Sequence, residues 1–176
     1  MLYVQQSLGP DEELVHIGKF HWMYTVNAFF SIIWGMVFSI FIIAGAVIVY
    51  QNLGKLPPGT DWLQAVRELH PFLRIGAFVM FLLGVWGFAV KMVTKATTEI
   101  AITSNRLVYK RGLIARQVGE ISIDRIEGVN VLQSISGRLF NYGRLAIRGM
   151  GVGEVVLPPI EDPIKFRQAI ERARSL

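Results

Sequence analysis

The stretch AITSNRLVYKRGLI, residues 101–114, decides how this chain is read. Leu107 and Tyr109 alternate with Arg106, Val108 and Lys110, a period of two that puts successive side chains on opposite faces of a strand. Ala101, Ile102 and Thr103 lead into Ser104-Asn105, a turn signal between two strand-like runs. The stretch is therefore a β-hairpin with one apolar face and a basic end at Lys110 and Arg111. It starts only eight residues after Val93, where a long apolar segment closes.

Downstream, the period of two continues. Ile100 and Ile102 share a face in TTEIAIT, as do Ile121 and Ile123 in GEISI, Leu145 and Ile147 in GRLAIRG, and Val155 and Leu157 in GEVVLP. Turn signals fall at Arg111-Gly112 and in the glycine-rich 149–153 segment. ISGRLFNYG, residues 135–143, breaks the alternation and reads as one helical turn or a crossing loop. The chain then ends in a helix: Asp162 is an N-cap, Pro163 suits the first helical position, and Phe166, Ala169, Ile170 and Ala173 form one apolar stripe. Six or seven strands and one helix in residues 97–176 predict a sheet rolled into a sandwich or open barrel and plugged by that helix.

The first half of the chain has a different character. Of 176 residues, 52% are hydrophobic and only 18% are charged, with a mean hydropathy of +0.43, too apolar for a soluble domain of this size. Trp22 to Gly54 holds no charge, and residues 29–50 alone exceed the roughly 20 helical residues that cross a hydrocarbon core. A second run, residues 75–90, reaches that length with Phe72, Leu73, Met92 and Val93. The predicted organisation is an N-terminal cytoplasmic segment 1–22, transmembrane helices 23–50 and 74–93 around an extracytoplasmic loop 51–73, and a β module 97–176. Asp11, Glu12 and Glu13 precede the first run, which is too long for a cleaved signal peptide. Lys19, Lys91, Lys95, Arg106, Lys110 and Arg111 outnumber Lys55, Arg67 and Arg74 of the connecting segment 51–74, so both termini are expected in the cytoplasm of a multi-pass plasma-membrane protein. The loop is expected to hold a short interfacial helix near Trp62–Leu69. Trp34 falls mid-span and is expected to pack against a neighbour.

Several function classes find no support. Without cysteine there is no disulfide framework, thiolate zinc site or cysteine nucleophile. His16, His21 and His70 lack metal-pair spacing, and no nucleophile elbow, P-loop or dinucleotide fingerprint occurs. Gly149, Gly151 and Gly153 follow Arg148, but no lysine or helix start completes a phosphate loop. Neither a catalytic residue, a metal nor a cofactor is therefore expected. Strand aromatics are few and face inward, which leaves no stacking platform for nucleic acid. No charged residue of the kind a transport path would need interrupts the apolar runs 29–50 and 75–90.

Two sets of residues remain as candidates. Ser31, Gly35 and Ser39 recur every four residues as a small-residue stripe that packs against the second span through Gly76, Gly84 or Gly87, or joins copies into a homo-oligomer. Lys91, Lys95, Arg106, Lys110, Arg111, Arg144 and Arg148 are candidates for binding lipid or a protein partner, the alternative being ordinary solvated surface charge.

Residues 98–149 followed by IEDPIKFRQAI resemble the bacterial pleckstrin-homology-like (PH-like) membrane proteins of the YdbS/YdbT type, formerly a domain of unknown function. The resemblance lies in T-x-x-R-L of the first hairpin, I-S-I-D-R-I, G-R-L-F-x-Y-G and the terminal D-P-x-x-F helix, and it extends to SLGPDEELVHIGKFHW and the two apolar runs. It implies an α+β membrane protein: a two-helix hairpin followed by a PH-like split barrel capped by a C-terminal helix, with no enzymatic activity. By analogy with PH domains it points to Lys110 and Arg111 for headgroups. The expected function is a non-enzymatic membrane-anchored adaptor or scaffold at the inner leaflet that binds partner proteins or self-assembles, its basic residues docked on anionic lipid. Alternatives are an accessory subunit of an envelope transport or stress-response complex, and a headgroup-specific lipid sensor.

Overall fold

Alternating apolar residues form two antiparallel sheets around one core in the computed structural model, which describes residues 3–57, 59–112, 117–151 and 153–175. The chain runs α1 (Tyr3–Ser7), β1 (Leu14–Gly18), α2 (Trp22–Asn52), α3 (Trp62–Glu68), α4 (Pro71–Thr97), β2 (Glu99–Thr103) and β3 (Arg106–Arg111). It continues with β4 (Gln117–Ser122), β5 (Ile126–Leu132), α5 (Ile135–Leu139), β6 (Tyr142–Gly149), β7 (Gly153–Val156), β8 (Ile160–Glu161) and α6 (Pro163–Ala173). Two units result, Met1–Tyr24 with Val93–Leu176, and Thr25–Met92.

In the first unit one sheet has the order β1-β2-β3-β4 and the other β5-β6-β7, with β8 on β6. The core draws Ile100, Ile102, Leu107 and Ile121 from the first sheet, Leu145 and Ile147 from the second, and Phe166, Ala169, Ile170 and Ala173 from α6. Phe166 is fully buried, and each aliphatic side chain so buried stabilises by about 1.5–3 kcal/mol. Glycine is required at Gly18, where a Cβ would lie 2.9 Å from the Phe166 ring. The architecture is the predicted α+β one: two long apolar helices, then antiparallel sheets closed by a helix.

Three local expectations need correction. Residues 1–22, set apart in the sequence reading, supply a strand: β1 pairs antiparallel with β2, Gly18 opposite Ile100 and Ile17 opposite Ala101. The sheet module is thus discontinuous in sequence, and its first two strands are joined through α2 and α4. Asp162 stands at the N-cap position but adopts a left-handed backbone (φ 45°), and its side chain pairs with Asn141 and Lys165 instead of capping α6. Ile123 lies in a 3-10 turn after β4, although it still faces the core. The 149–153 segment is a turn as expected, pairing Gly149 with Gly153, with Gly151 at φ 75°; Val152 lies outside the described residues.

In the second unit α2 and α4 pack through small residues. A Cβ on Gly35 would come within 2.8 Å of Gly84 Cα, and one on Gly84 within 2.6 Å of Ser31 O. Ala28 and Ala77 are also buried. A Cβ on Gly76 would meet nothing within 4 Å, so this glycine takes no part in the close approach. Both helices are long and apolar enough to cross a membrane, and their remaining surface is exposed and apolar, with Phe41 at 75% and Phe72 at 77%. Trp34 is 58% exposed, and its ring lies 5.8 Å from that of Phe38 one turn along α2. α3 lies where the interfacial helix was expected, and Ala65 and Leu69 bury against Val47 and Leu56.

Candidate functional site

The outer face of β2 and β3, expected to be a basic surface that binds lipid or a partner or is simply solvated, is covered by the N-terminal segment. Val108 and Ala101 point to that face and are buried under Val4, Leu8 and Leu14. Pro10 and Asp11 form a turn that delivers Glu12 to Arg106. Arg106 donates from Nε to Glu12 Oε1 at 2.9 Å and from Nη2 to Glu12 Oε2 at 2.8 Å, and Thr103 Oγ1 donates to Glu12 Oε1 at 2.6 Å. The remaining donors of Arg106 reach Glu120 Oε2 at 2.8 Å and Ser7 O at 2.7 Å. Burial raises the pKa of the Glu12 carboxyl, but the hydrogen bonds from Thr103, Gly9 N–H and Arg106, with the Arg106 charge, outweigh it and hold it below the ordinary carboxylate value. Arg106 is therefore an internal clamp.

The other predicted cations divide in the same way. Lys110 pairs with Glu99 at 3.1 Å with only 15% of its side chain exposed. Lys91 Nζ donates to Ser31 Oγ at 2.8 Å and to Asn27 O and Oδ1 at 3.1 Å, which fastens α4 to α2. Lys95 lines, with Lys19, a mostly apolar cavity of about 350 Å³ between α1 and the ends of β1 and β2. Arg144 and Arg148 are exposed on the outer face of β6, opposite Leu132 and Gly128 of β5. Ser31 and Gly35 face α4 within the chain. The structure thus does not gather the seven cations into one basic site.

It does assemble a groove that no sequence pattern marked. Among the described residues β4 pairs only with β3 and β7 only with β6, so each sheet ends on a strand with an unpaired edge. A cavity of about 600 Å³ lies between these strands, lined by Leu107, Tyr109, Val118, Ile121, Val155 and Val156. Arg111, Glu120 and Glu154 supply charge at its walls. Val118 and Val156 are exposed, 40% and 48%. Unpaired strand edges beside an apolar trough can accept an extended polypeptide, with main-chain hydrogen bonds for affinity and the trough for side chains. A hint existed in GEVVLP, where Val156 breaks the alternation.

Among the described residues no three His, Asp or Glu side chains gather as a metal site. His21 is buried, its Nδ1 accepting from Met23 N–H at 3.2 Å and its ring stacked on Tyr142. His16 meets Phe166 edge-on, and burial, followed by the Arg172 charge, lowers its pKa.

A family model described as bacterial PH domain matches residues 16–174, from within β1 to the end of α6. No curated protein and no solved structure matched the chain.

Proposed function

We propose, from the premise that the chain belongs to the bacterial PH domain family, that it is a membrane-anchored adaptor that captures a partner polypeptide at the groove between β4 and β7. PH domains are in general non-catalytic binding modules, and two helices long and apolar enough to cross a membrane are compatible with a membrane-associated one. In this reading α2 and α4 span the cytoplasmic membrane, both termini are cytoplasmic, and the β module stays at the inner leaflet because one residue, Thr98, separates α4 from β2. Exposed Arg144 adds attraction to anionic lipid. The observation that carries the reading is the open pair of strand edges with an apolar trough between them. Engagement of Arg106 and Lys110 in ion pairs weighs against a headgroup sensor built on the first hairpin.

The test places a photocrosslinking side chain at Val118, Val156 and, as control, exposed Glu127 on β5. A discrete protein adduct from 118 and 156 but not 127, lost when Gly119→Trp fills the trough, is expected in native membranes. Equal labelling from all three positions, or adducts indifferent to Gly119→Trp, would refute capture at this groove.

A further inference from the structure

We propose that α5 and its flanks form an apolar wedge that inserts into the headgroup region of the bilayer, a third membrane contact beside the two helices; the inference rests on the membrane reading above. The polar groups of this turn are tied down and its apolar ones are not. Ser134 Oγ accepts from Gly137 N–H at 3.1 Å, Gln133 Nε2 donates to Tyr142 O at 3.1 Å, and the hydroxyls of Ser136 and Tyr142 lie 2.9 Å apart. Gly137 is buried so closely that a Cβ would lie 2.6 Å from Tyr142 O, which seats the turn firmly on the start of β6. On its free side Ile135 is 91% exposed and Leu139, one turn on along the same face, 77%. Leu132 and Phe140 extend the patch at 52% and 41%. Contiguous large aliphatic and aromatic side chains on a fixed scaffold mark a surface that something apolar covers.

What covers it is indicated by Trp22. The Phe140 ring meets Trp22 edge-on with centroids 5.9 Å apart, and Trp22 is the first residue of α2. A tryptophan at the start of a spanning helix sits at headgroup level, so Phe140 and the α5 patch lie at that depth too. Exposed Arg138 within α5 and Arg144 opposite Leu132 flank the patch with charge that suits anionic headgroups. Met150, exposed at the other end of β6, lies roughly 25 Å from Tyr142 at about 3.3 Å per strand residue and serves as the comparison site away from the patch.

The chain has no cysteine, so single substitutions Ile135→Cys, Leu139→Cys, Met150→Cys and Phe41→Cys each give one labelling site. The full-length protein, carrying an environment-sensitive fluorophore at that site, is reconstituted into phosphatidylcholine–phosphatidylglycerol vesicles with or without nitroxide-bearing lipids. Probes at 135 and 139 are expected to shift to the blue and lose emission to nitroxides near the headgroup, while the probe at 150 keeps its aqueous spectrum. The probe at 41 reports the membrane reading itself through quenching by nitroxides deep in the acyl chains. Quenching at 41 with 135 and 139 behaving like 150 overturns the wedge alone; an unquenched 41 overturns the membrane reading and the wedge with it.

Discussion

Replacing Glu12 by Gln should loosen the N-terminal segment from the sheet without unfolding the core. The carboxylate receives two hydrogen bonds from Arg106, one from Thr103 and one from Gly9 N–H, and its side chain is 5% exposed. Glutamine keeps the shape but removes the charge and turns an NH₂ toward a guanidinium that can only donate. Removing one partner of a buried ion pair costs about 3–5 kcal/mol when the other charge is left alone. Arg106 is not left alone, since Glu120 and Ser7 O hold it and 27% of its side chain is exposed. The loss is then nearer one charge-assisted hydrogen bond, about 2 kcal/mol, or roughly a 30-fold rise in the opening equilibrium of the segment. Hydrogen exchange on the intact protein would show it as faster exchange in α1 and β1, with the α6 amides unchanged. Exposed Glu13 offers the control, and Glu13→Gln should change little. Because the folded pKa of Glu12 is depressed, the clamp's contribution is present above about pH 4.5, the ordinary value of its carboxyl, and is lost as pH falls through the lower folded value. Acid should therefore open the wild-type segment and leave Glu12→Gln unaffected. A rise of less than about threefold at neutral pH, under about 0.7 kcal/mol, would refute the clamp.

Two further outcomes follow from close approach and from burial. Gly84→Val should separate α2 from α4, costing about 1–3 kcal/mol of unfolding free energy in detergent, because its Cβ would meet Ser31 O at 2.6 Å. Gly45→Ala, with nothing within 4 Å, should be neutral or mildly stabilising in the same measurement. For His16 the lowered folded pKa means that stability is fully present above about pH 6.5 and declines as pH falls through the folded value. The thermal midpoint of the β module should drop on acidification from pH 7.5 to 5.5 and become flat over that interval in His16→Gln.

Local pattern was enough for features that repeat within a few residues. The alternation in TEIAIT and RLVYK, the α6 stripe and the two charge-free runs each report an element's buried face directly, because strand and helix periods are properties of the local backbone. Hence the β-rich module, the capping helix and the apolar hairpin were legible, and so was the PH-like resemblance. What the pattern could not convey was pairing between residues far apart in the chain. Leu14–Gly18 joins a strand some 80 residues later, so a fragment beginning at residue 96 would lack β1 and α1. Arg106 and Lys110 looked like free surface charge, since nothing near them in sequence announces Glu12, 94 residues away, and nothing distinguishes a Glu99 across the hairpin that pairs from one that does not. The wedge has the same origin: ISGRLFNYG reads only as a helical turn or a crossing loop until Gly137 and Gln133 are seen fixed to Tyr142, which leaves the apolar side of α5 facing out. Composition and period thus set which elements form and which faces are apolar. Only tertiary contact decided which charges are neutralised, which edges stay open and which apolar faces are left uncovered, because those depend on distances between segments that no local period encodes.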